Sequence, residues 1–288
     1  MSFLGKIFSP IEKTLRFFSE HFKGALFFLL LFLIFSPNEE EQTPYNLQKI
    51  TLHGAIMDVS ETLAQIEKAT NNPQIKGVLL EVNSPGGAVA PSIELSYAIK
   101  QLQKKKPVVV YASGTLASGS YYASIWAEKI VANPGSMVGS IGVVLEGADV
   151  SELMSKIGVK TQTIQAGKYK RVGTTSRAWK PYEVNELNKV IQDTYALFSE
   201  DVAKARKLKL SQKNSWANAH IFTARQAQKI GLVDIVGVEY DAKKILKGLS
   251  HVAKASWNKP DPFEKFVKKL SAATAVTLST YFPTLTLR

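Results

Sequence analysis

The sequence predicts an α/β fold built on a mainly parallel sheet. Near-continuous apolar runs alternate with amphipathic segments, and such runs suit strands that are covered on both faces. The repeated order of strand and helix indicates βαβ units. A length of 288 residues and a hydrophobic fraction of 45% allow a sizeable buried core and argue against intrinsic disorder.

Each element follows from its local pattern, in chain order. The predicted strands, all short and apolar or alternating, are Leu47–Leu52, Ile75–Val82, Pro107–Tyr111, Ile130–Ala132, Ile141–Leu145 and Lys160–Gln165. The predicted helices between and after them are Glu61–Ala69, Ile93–Gln103, Ala117–Ala127, Val150–Ile157, a long one from about Pro181 to Lys207, and Ala224–Ile230. Gly231 suits a C-cap for the last of these helices.

An uncharged stretch, residues 24–36, lies near the N-terminus. Basic residues precede it and an acidic run, residues 39–41, follows it, which predicts a membrane segment with a cytoplasmic N-terminus. The apolar core would span roughly 20 Å as a helix, and extension back to Phe17 gives about 20 residues. A cleaved signal peptide is the alternative. Because no pair of small residues marks a cleavage site, we favour a retained signal anchor.

Composition excludes several classes of site and partner. The chain has no cysteine, so disulfides, thiolate zinc sites and a cysteine nucleophile are excluded. Its four histidines lack metal-ligand spacing, so no metal is expected. The net charge of +12 suits nucleic acid or an anionic membrane surface. Because no zinc finger, RNP motif or long basic run is present, we expect no nucleic-acid partner.

Turns rich in small residues carry the candidate chemistry. They are Ser84-Pro85-Gly86-Gly87, Ala117-Ser118-Gly119-Ser120, Val138-Gly139-Ser140-Ile141-Gly142 and Ala166-Gly167-Lys168-Tyr169-Lys170. The first two each follow a strand and precede a helix, where free N–H groups and glycine allow an oxyanion hole. Each turn alone also suits an ordinary capped loop. The absence of GxGxxG and P-loop spacing argues against a nucleotide site.

Together these motifs resemble the signal peptide peptidase A family, membrane-anchored bacterial serine proteases with a Ser-Lys dyad. A downstream segment from Phe222 to Asp234 is also similar, so the resemblance covers roughly residues 47–237 in consistent order. The chain looks like the short form with one catalytic domain. The resemblance implies a crotonase/Clp-protease-like fold of stacked βαβ units, no cofactor, and a homo-oligomer in a dome-like ring. It also implies a place in the bacterial inner membrane with the catalytic domain outside the cytoplasm.

The family's roles carry over onto matching residues. Ser118 matches the nucleophile, Lys170 the general base and Ser140 the serine that orients the lysine; Gly87 and Gly119 match the oxyanion-hole donors. A serine hydroxyl needs a base within about 3 Å. Lysine serves only when neutral, which requires burial that lowers its pKa from about 10.4. The implied substrates are cleaved signal peptides and other unfolded apolar segments at the bilayer surface.

Several alternatives stay open at this point. Ser120 stands where the family usually has a second glycine and offers another hydroxyl, Lys168 is a rival base, and His53 and His220 are candidate acid/base groups in a different mechanism. The rival functions are an inactive membrane scaffold of the same fold, a crotonase-like acyl-CoA enzyme, and a related protease that trims membrane-associated partner proteins.

These expectations divide the chain into segments. They are a cytoplasmic basic segment 1–23, a transmembrane core 24–36, a linker 37–46, a catalytic domain 47–250 and a basic amphipathic extension 251–288.

Overall fold

The computed structural model describes residues 21–35 and 44–258. Residues 44–258 form one compact unit, and the described residues 21–35 belong to a separate, N-terminal unit. The expectations for residues 1–20, 36–43 and 259–288, including most of the C-terminal extension, lie outside the described residues.

In the N-terminal unit, helix α1 covers Phe22–Phe35 and has 14 residues. At 1.5 Å per residue it is about 21 Å long. No helix within residues 21–35 and 44–258 has the length and apolar character needed to cross a bilayer.

The compact unit is built on a seven-stranded sheet within residues 44–258. The strands are β1 Leu47–His53, β2 Gly77–Ser84, β3 Val108–Ala117, β4 Lys129–Ala132, β5 Met137–Gly139, β6 Ile221–Thr223 and β7 Ile235–Val236. The main path is β1-β2-β3-β4-β7, with β5 on β3 and β6 on β5. All pairs are parallel except β5–β6. The predicted α/β class with a mainly parallel sheet is confirmed, whereas the stacked superhelix stays a prediction.

Helices lie in the connections between these strands, and the last helix follows β7. They are α2 Ser60–Asn71, α3 Val89–Gln103, α4 Gly119–Ser124, α5 Ser151–Lys156, α6 Pro181–Arg206, α7 Lys213–Trp216, α8 Ala224–Lys229 and α9 Glu239–Leu249. Alternate residues of β2 enter different cores: Val78 and Leu80 face one, and Leu79 faces the other together with Leu246 of α9. Because the sheet is covered on both faces, its central strands are continuously apolar.

Two predicted strands are wrong. The strand expected at Ile141–Leu145 lies upstream, at Met137–Gly139, because Gly139 and Ser140 take φ values of 117° and 51° and end it. The strand expected at Lys160–Gln165 does not form; its residues are exposed and pair with no strand of the described chain. The alternating pattern there therefore does not reflect a buried face.

We call residues 143–180 the arm. None of its residues is buried, and α5, which lies within it, has no buried side chain. Exposed apolar side chains mark its surface, among them Val144, Ile157 and Ile164. Lys170 lies in a turn near the end of the arm.

Candidate active site

Ser118 occupies a sharp turn between the end of β3 and the start of α4. Its backbone angles are φ 53° and ψ −125°, a conformation that is costly for any residue with a Cβ. Two hydrogen bonds hold it: the Ser118 amide donates to the Gly139 carbonyl at 2.8 Å, and the Tyr122 amide donates to the Ser118 carbonyl at 3.0 Å. The turn leaves the Ser118 side chain only half-buried. We call this turn, residues 117–120, the elbow.

The Gly86–Gly87 turn packs directly against the elbow. Gly86 has φ +92°, and a Cβ there would lie 2.8 Å from the Ser118 Cβ and 2.6 Å from the Gly119 nitrogen. A Cβ on Gly87 would overlap the backbone of Ile56. Ile56 is bonded on both sides of Gly87, donating to the Gly86 carbonyl at 2.9 Å and accepting from the Ala88 amide at 2.8 Å. Glycine is therefore required at both positions by close approach of the backbone.

This packing brings two amides from different turns together. A Cβ on Gly119 would lie 3.4 Å from the Gly87 nitrogen, so the two residues are neighbours. In the part of the chain that the structure describes, neither the Gly87 nor the Gly119 amide donates to a protein acceptor. Two free amides beside a serine hydroxyl form the donor pair that an oxyanion hole needs.

Ser140 lies beside the elbow at the end of the neighbouring strand. Ala117 of β3 is in register with Gly139 of β5, so Ser140 follows the residue that accepts the Ser118 amide. The Ser140 amide donates to the His220 carbonyl at 2.7 Å. His220 is therefore near the site through its backbone, while its residue is exposed and its ring lies 6.1 Å from that of Phe222.

Lys170 is the predicted site residue that the structure does not join to the others. It is exposed on the arm, and its amide donates to the Gly167 carbonyl at 3.2 Å. Within residues 44–258, no hydrogen bond connects the Lys170 amine with Ser118 or Ser140. The structure thus brings Ser118, Ser140, Gly87 and Gly119 together, and it leaves Lys170, the predicted base, on a separate element.

The neighbouring Lys168 is engaged by aromatic rings. Its amine lies 5.3 Å from the ring centre of Tyr169 and 5.0 Å from that of Tyr182. The Tyr182 hydroxyl also donates to the Lys168 carbonyl at 3.4 Å. The amine of Lys168, the rival base, is therefore held in cation–π contacts with a ring of the arm and a ring of α6.

An ion pair fixes the C-terminal end of the arm to α6. Glu183 is fully buried. Its two carboxylate oxygens accept hydrogen bonds from two guanidinium nitrogens of Arg177, each at 2.7 Å, and one of them also accepts from the Lys180 amide at 2.7 Å. The hydrogen bonds from Arg177, followed by the one from Lys180, lower the pKa of the Glu183 carboxyl to about 2. This paired, hydrogen-bonded carboxylate is a common way to accommodate buried charge.

The two tyrosines after the elbow, Tyr121 and Tyr122, connect α4 to other parts of the compact unit through their hydroxyl groups. The Tyr121 hydroxyl donates to the Leu232 carbonyl at 2.9 Å, and the Tyr122 hydroxyl donates to Asp201 of α6 at 2.7 Å. The Tyr122 ring also stacks on that of Phe198 at 4.6 Å. Burial raises the pKa of both hydroxyls, so neither tyrosine suits the role of a base.

Sequence reasoning missed two supporting residues. Ile56 clamps Gly87 through its backbone, and Ser92 packs against Gly119 while its hydroxyl donates to the Ala88 carbonyl at 2.7 Å. Neither residue carries a motif, because each acts through a close approach that only the fold creates. Within residues 21–35 and 44–258, no group of three His, Cys, Asp or Glu is placed to hold a metal ion.

Residues 100–253 match the sequence model of a protein family described as peptidase family S49. The chain belongs to peptidase family S49. A predicted protease of Methanocaldococcus jannaschii is 43% identical over 65% of this chain and 60% of its own length. A predicted signal peptide peptidase of Enterococcus faecium is 35% identical over 73% of this chain and 65% of its own length. These matches confirm the sequence-based expectation of a serine peptidase family of the signal peptide peptidase A type.

The chain spans about three fifths of the archaeal relative that it matches. Among solved structures, a ClpP1 mutant from Listeria monocytogenes aligns with a TM-score of 0.43 and 18% identity. That alignment covers 67% of this chain and 93% of the other.

Proposed function

We propose that this protein is a serine endopeptidase with Ser118 as nucleophile and Lys170 as general base. The observation that carries the proposal is the elbow, where a half-buried serine in a strained turn stands beside the free amides of Gly87 and Gly119. Strand-to-helix turns of this kind present a nucleophile and leave backbone donors free for the developing oxyanion.

The proposed reaction proceeds through an acyl-enzyme. The Ser118 oxygen attacks the peptide carbonyl while the neutral Lys170 amine takes the hydroxyl proton, and the two amides hold the resulting oxyanion. Lys170 then gives that proton to the leaving amine as the C–N bond breaks. A water deprotonated by Lys170 hydrolyses the ester and releases the acid, and Ser140 orients the lysine throughout.

The single chain leaves Lys170 exposed to solvent, whereas a lysine base has to be desolvated. The exposed apolar side chains of the arm, such as Ile157 at 66% and Val144 at 83% exposure, offer a surface for another copy. We therefore propose a homo-oligomer, in the dome-like ring that the resemblance implies, in which a neighbouring copy covers the arm. That cover, together with bound peptide, would desolvate Lys170 and favour its neutral form.

We further propose a substrate class and a location. Cleaved signal peptides and other unfolded apolar segments would bind as added strands beside the elbow. Residues 24–36 would anchor the protein in the inner membrane, with the catalytic unit outside the cytoplasm, since basic residues precede and acidic residues follow them. The net charge of +12 would hold the body near anionic headgroups.

A fluorophosphonate probe, which modifies activated serines, tests the dyad on the full chain in detergent. We expect labelling of the wild type and its loss in Ser118→Ala and in Lys170→Ala. His220→Ala serves as the matched control, because His220 is the histidine whose backbone adjoins Ser140. Its labelling should equal that of the wild type.

Two results would contradict the proposal. A folded, assembled wild type that does not label would favour an inactive scaffold. Loss of labelling in His220→Ala with retention in Lys170→Ala would assign the base to the histidine instead.

A further inference from the structure

Ser120 has a role that its position in the motif does not reveal. It is fully buried, so it does not offer a second nucleophile. Its hydroxyl accepts a hydrogen bond from the Ala117 amide at 2.9 Å. The same hydroxyl lies 2.7 Å from the Ser84 carbonyl and 2.9 Å from the Ala117 carbonyl, its two possible acceptors.

These partners belong to the two different halves of the site. Ser84 is the last residue of β2 and leads into the turn that carries Gly87. Ala117 is the last residue of β3 and leads into the elbow that carries Gly119. One buried hydroxyl therefore joins the strand ends from which both free amides extend.

The regular sheet does not make this connection by itself. The β2–β3 register is continuous up to Val82 opposite Ala112, then shifts so that Ser84 faces Leu116. In this irregular stretch, side chains supply hydrogen bonds to the backbone: the Thr115 amide donates to Asn83, and the Ser113 hydroxyl donates to the Val82 carbonyl. Unlike these two hydrogen bonds, those of the Ser120 hydroxyl are buried, and Ser120 is also closer in sequence to Ser118.

We propose that Ser120 is a positioning residue that sets the spacing between the Gly87 and Gly119 amides. This inference rests on the proposed peptidase function. Oxyanion donors act only when both lie about 2.7–3.1 Å from the charged oxygen. A displacement of about 1 Å can cost on the order of 100-fold in rate. A bridge across the irregular register keeps the two strand ends from drifting apart.

The test compares Ser120→Ala with Ser124→Ala in the full, assembled chain. Ser124 lies in the same helix and is equally buried, and its hydroxyl donates to the Ser120 carbonyl at 2.8 Å, within the helix alone. Both variants lose one buried serine hydroxyl, so both should lose similar thermal stability. We expect Ser120→Ala to lower kcat for a fluorogenic apolar peptide by roughly 10-fold with KM unchanged, and Ser124→Ala to stay within about twofold of the wild type.

A peptide boronic acid provides a second measurement, because its tetrahedral adduct places an oxygen in the oxyanion hole. Its affinity should fall by the same factor as kcat in Ser120→Ala. Ser120→Cys keeps a weak donor of similar volume and should recover part of both losses, which covers the case in which the alanine variant does not fold.

Equal kcat and boronate affinity in Ser120→Ala and Ser124→Ala would overturn the positioning role. A rise in KM without a change in kcat would also overturn it. Failure of the wild type to react with fluorophosphonate is a separate result, since it would remove the peptidase proposal itself.

Discussion

The elbow and the arm differ in how much of their environment the chain itself supplies. Around Ser118, strands β3 and β5, the Gly86 turn and α4 provide packing and hydrogen bonds on several sides. Around Lys170, the arm provides a turn, no buried residue and a surface that includes exposed apolar side chains. A nucleophile and an oxyanion hole need preorganised geometry, whereas a lysine base needs desolvation. In the proposed mechanism, one chain supplies the geometry around Ser118, whereas the desolvation of Lys170 would come from a further surface.

The largest expected effect comes from comparing two glycines with positive φ, Gly86 next to the elbow and Gly158 in the arm. Gly86→Ala would force a Cβ to within 2.8 Å of the Ser118 Cβ, in addition to the strain of φ +92°. Gly158 in the arm has φ +75°, but a Cβ added there would have no other residue's atoms within 4 Å beyond its chain neighbours. We expect Gly86→Ala to lower fluorophosphonate labelling by more than about 100-fold.

Gly158→Ala should cost only about 1 kcal/mol of folding stability, which a denaturant titration would measure, and should keep its labelling rate. Equal effects of the two alanine variants would contradict the tight packing of the elbow.

The next effect concerns assembly. Ile157→Glu places a charge on an apolar arm residue that is 66% exposed in the single chain. We expect it to dissociate the oligomer and to lower kcat at least about 10-fold, because Lys170 would stay in solvent. Sedimentation velocity and peptide hydrolysis measure the two outcomes.

Tyr240→Glu is the control for this change, since Tyr240 is 72% exposed on α9, outside the arm. If both variants assemble and cleave like the wild type, the arm is not the contact surface.

A smaller effect depends on pH at the root of the arm. Because the folded-state pKa of Glu183 is about 2, below the ordinary value of 4.5, its charged form stabilises the fold above about pH 4.5. That contribution is lost as the pH falls towards 2. Glu183→Gln should therefore melt several degrees lower than the wild type at pH 7, and the two melting temperatures should converge near pH 2. A constant difference across this range, measured by thermal denaturation, would show that Arg177 does not hold the carboxylate.

The smallest expected effect distinguishes the two lysines of the arm. Lys168→Ala removes cation–π contacts with Tyr169 and Tyr182, which are worth about 0.5–1 kcal/mol at exposed sites. We expect fluorophosphonate labelling within about threefold of the wild type. Loss of labelling in Lys168→Ala and its survival in Lys170→Ala would exchange their roles.

Much of the sheet was predictable because its central strands are buried on both faces. The runs at Ile75–Val82 and Pro107–Tyr111 correspond to β2 and the first part of β3, where burial and sequence pattern coincide. The continuation of β3 to Ala117 was not predictable, since Ser113, Gly114 and Thr115 are typical of a turn. The short strands β6 and β7 were missed because two or three residues show no period.

The sequence by itself determined the fold class, the peptidase family and the candidate residues, since periodic burial and local motifs are written along the chain. Only the tertiary structure decided that Ser120 is buried, that Ile56 clamps Gly87 and that Ser140 adjoins Ser118. It also decided that Lys170 lies on an exposed arm. These outcomes depend on contacts between residues far apart in the chain, and no local pattern records the distance or the burial that such contacts create.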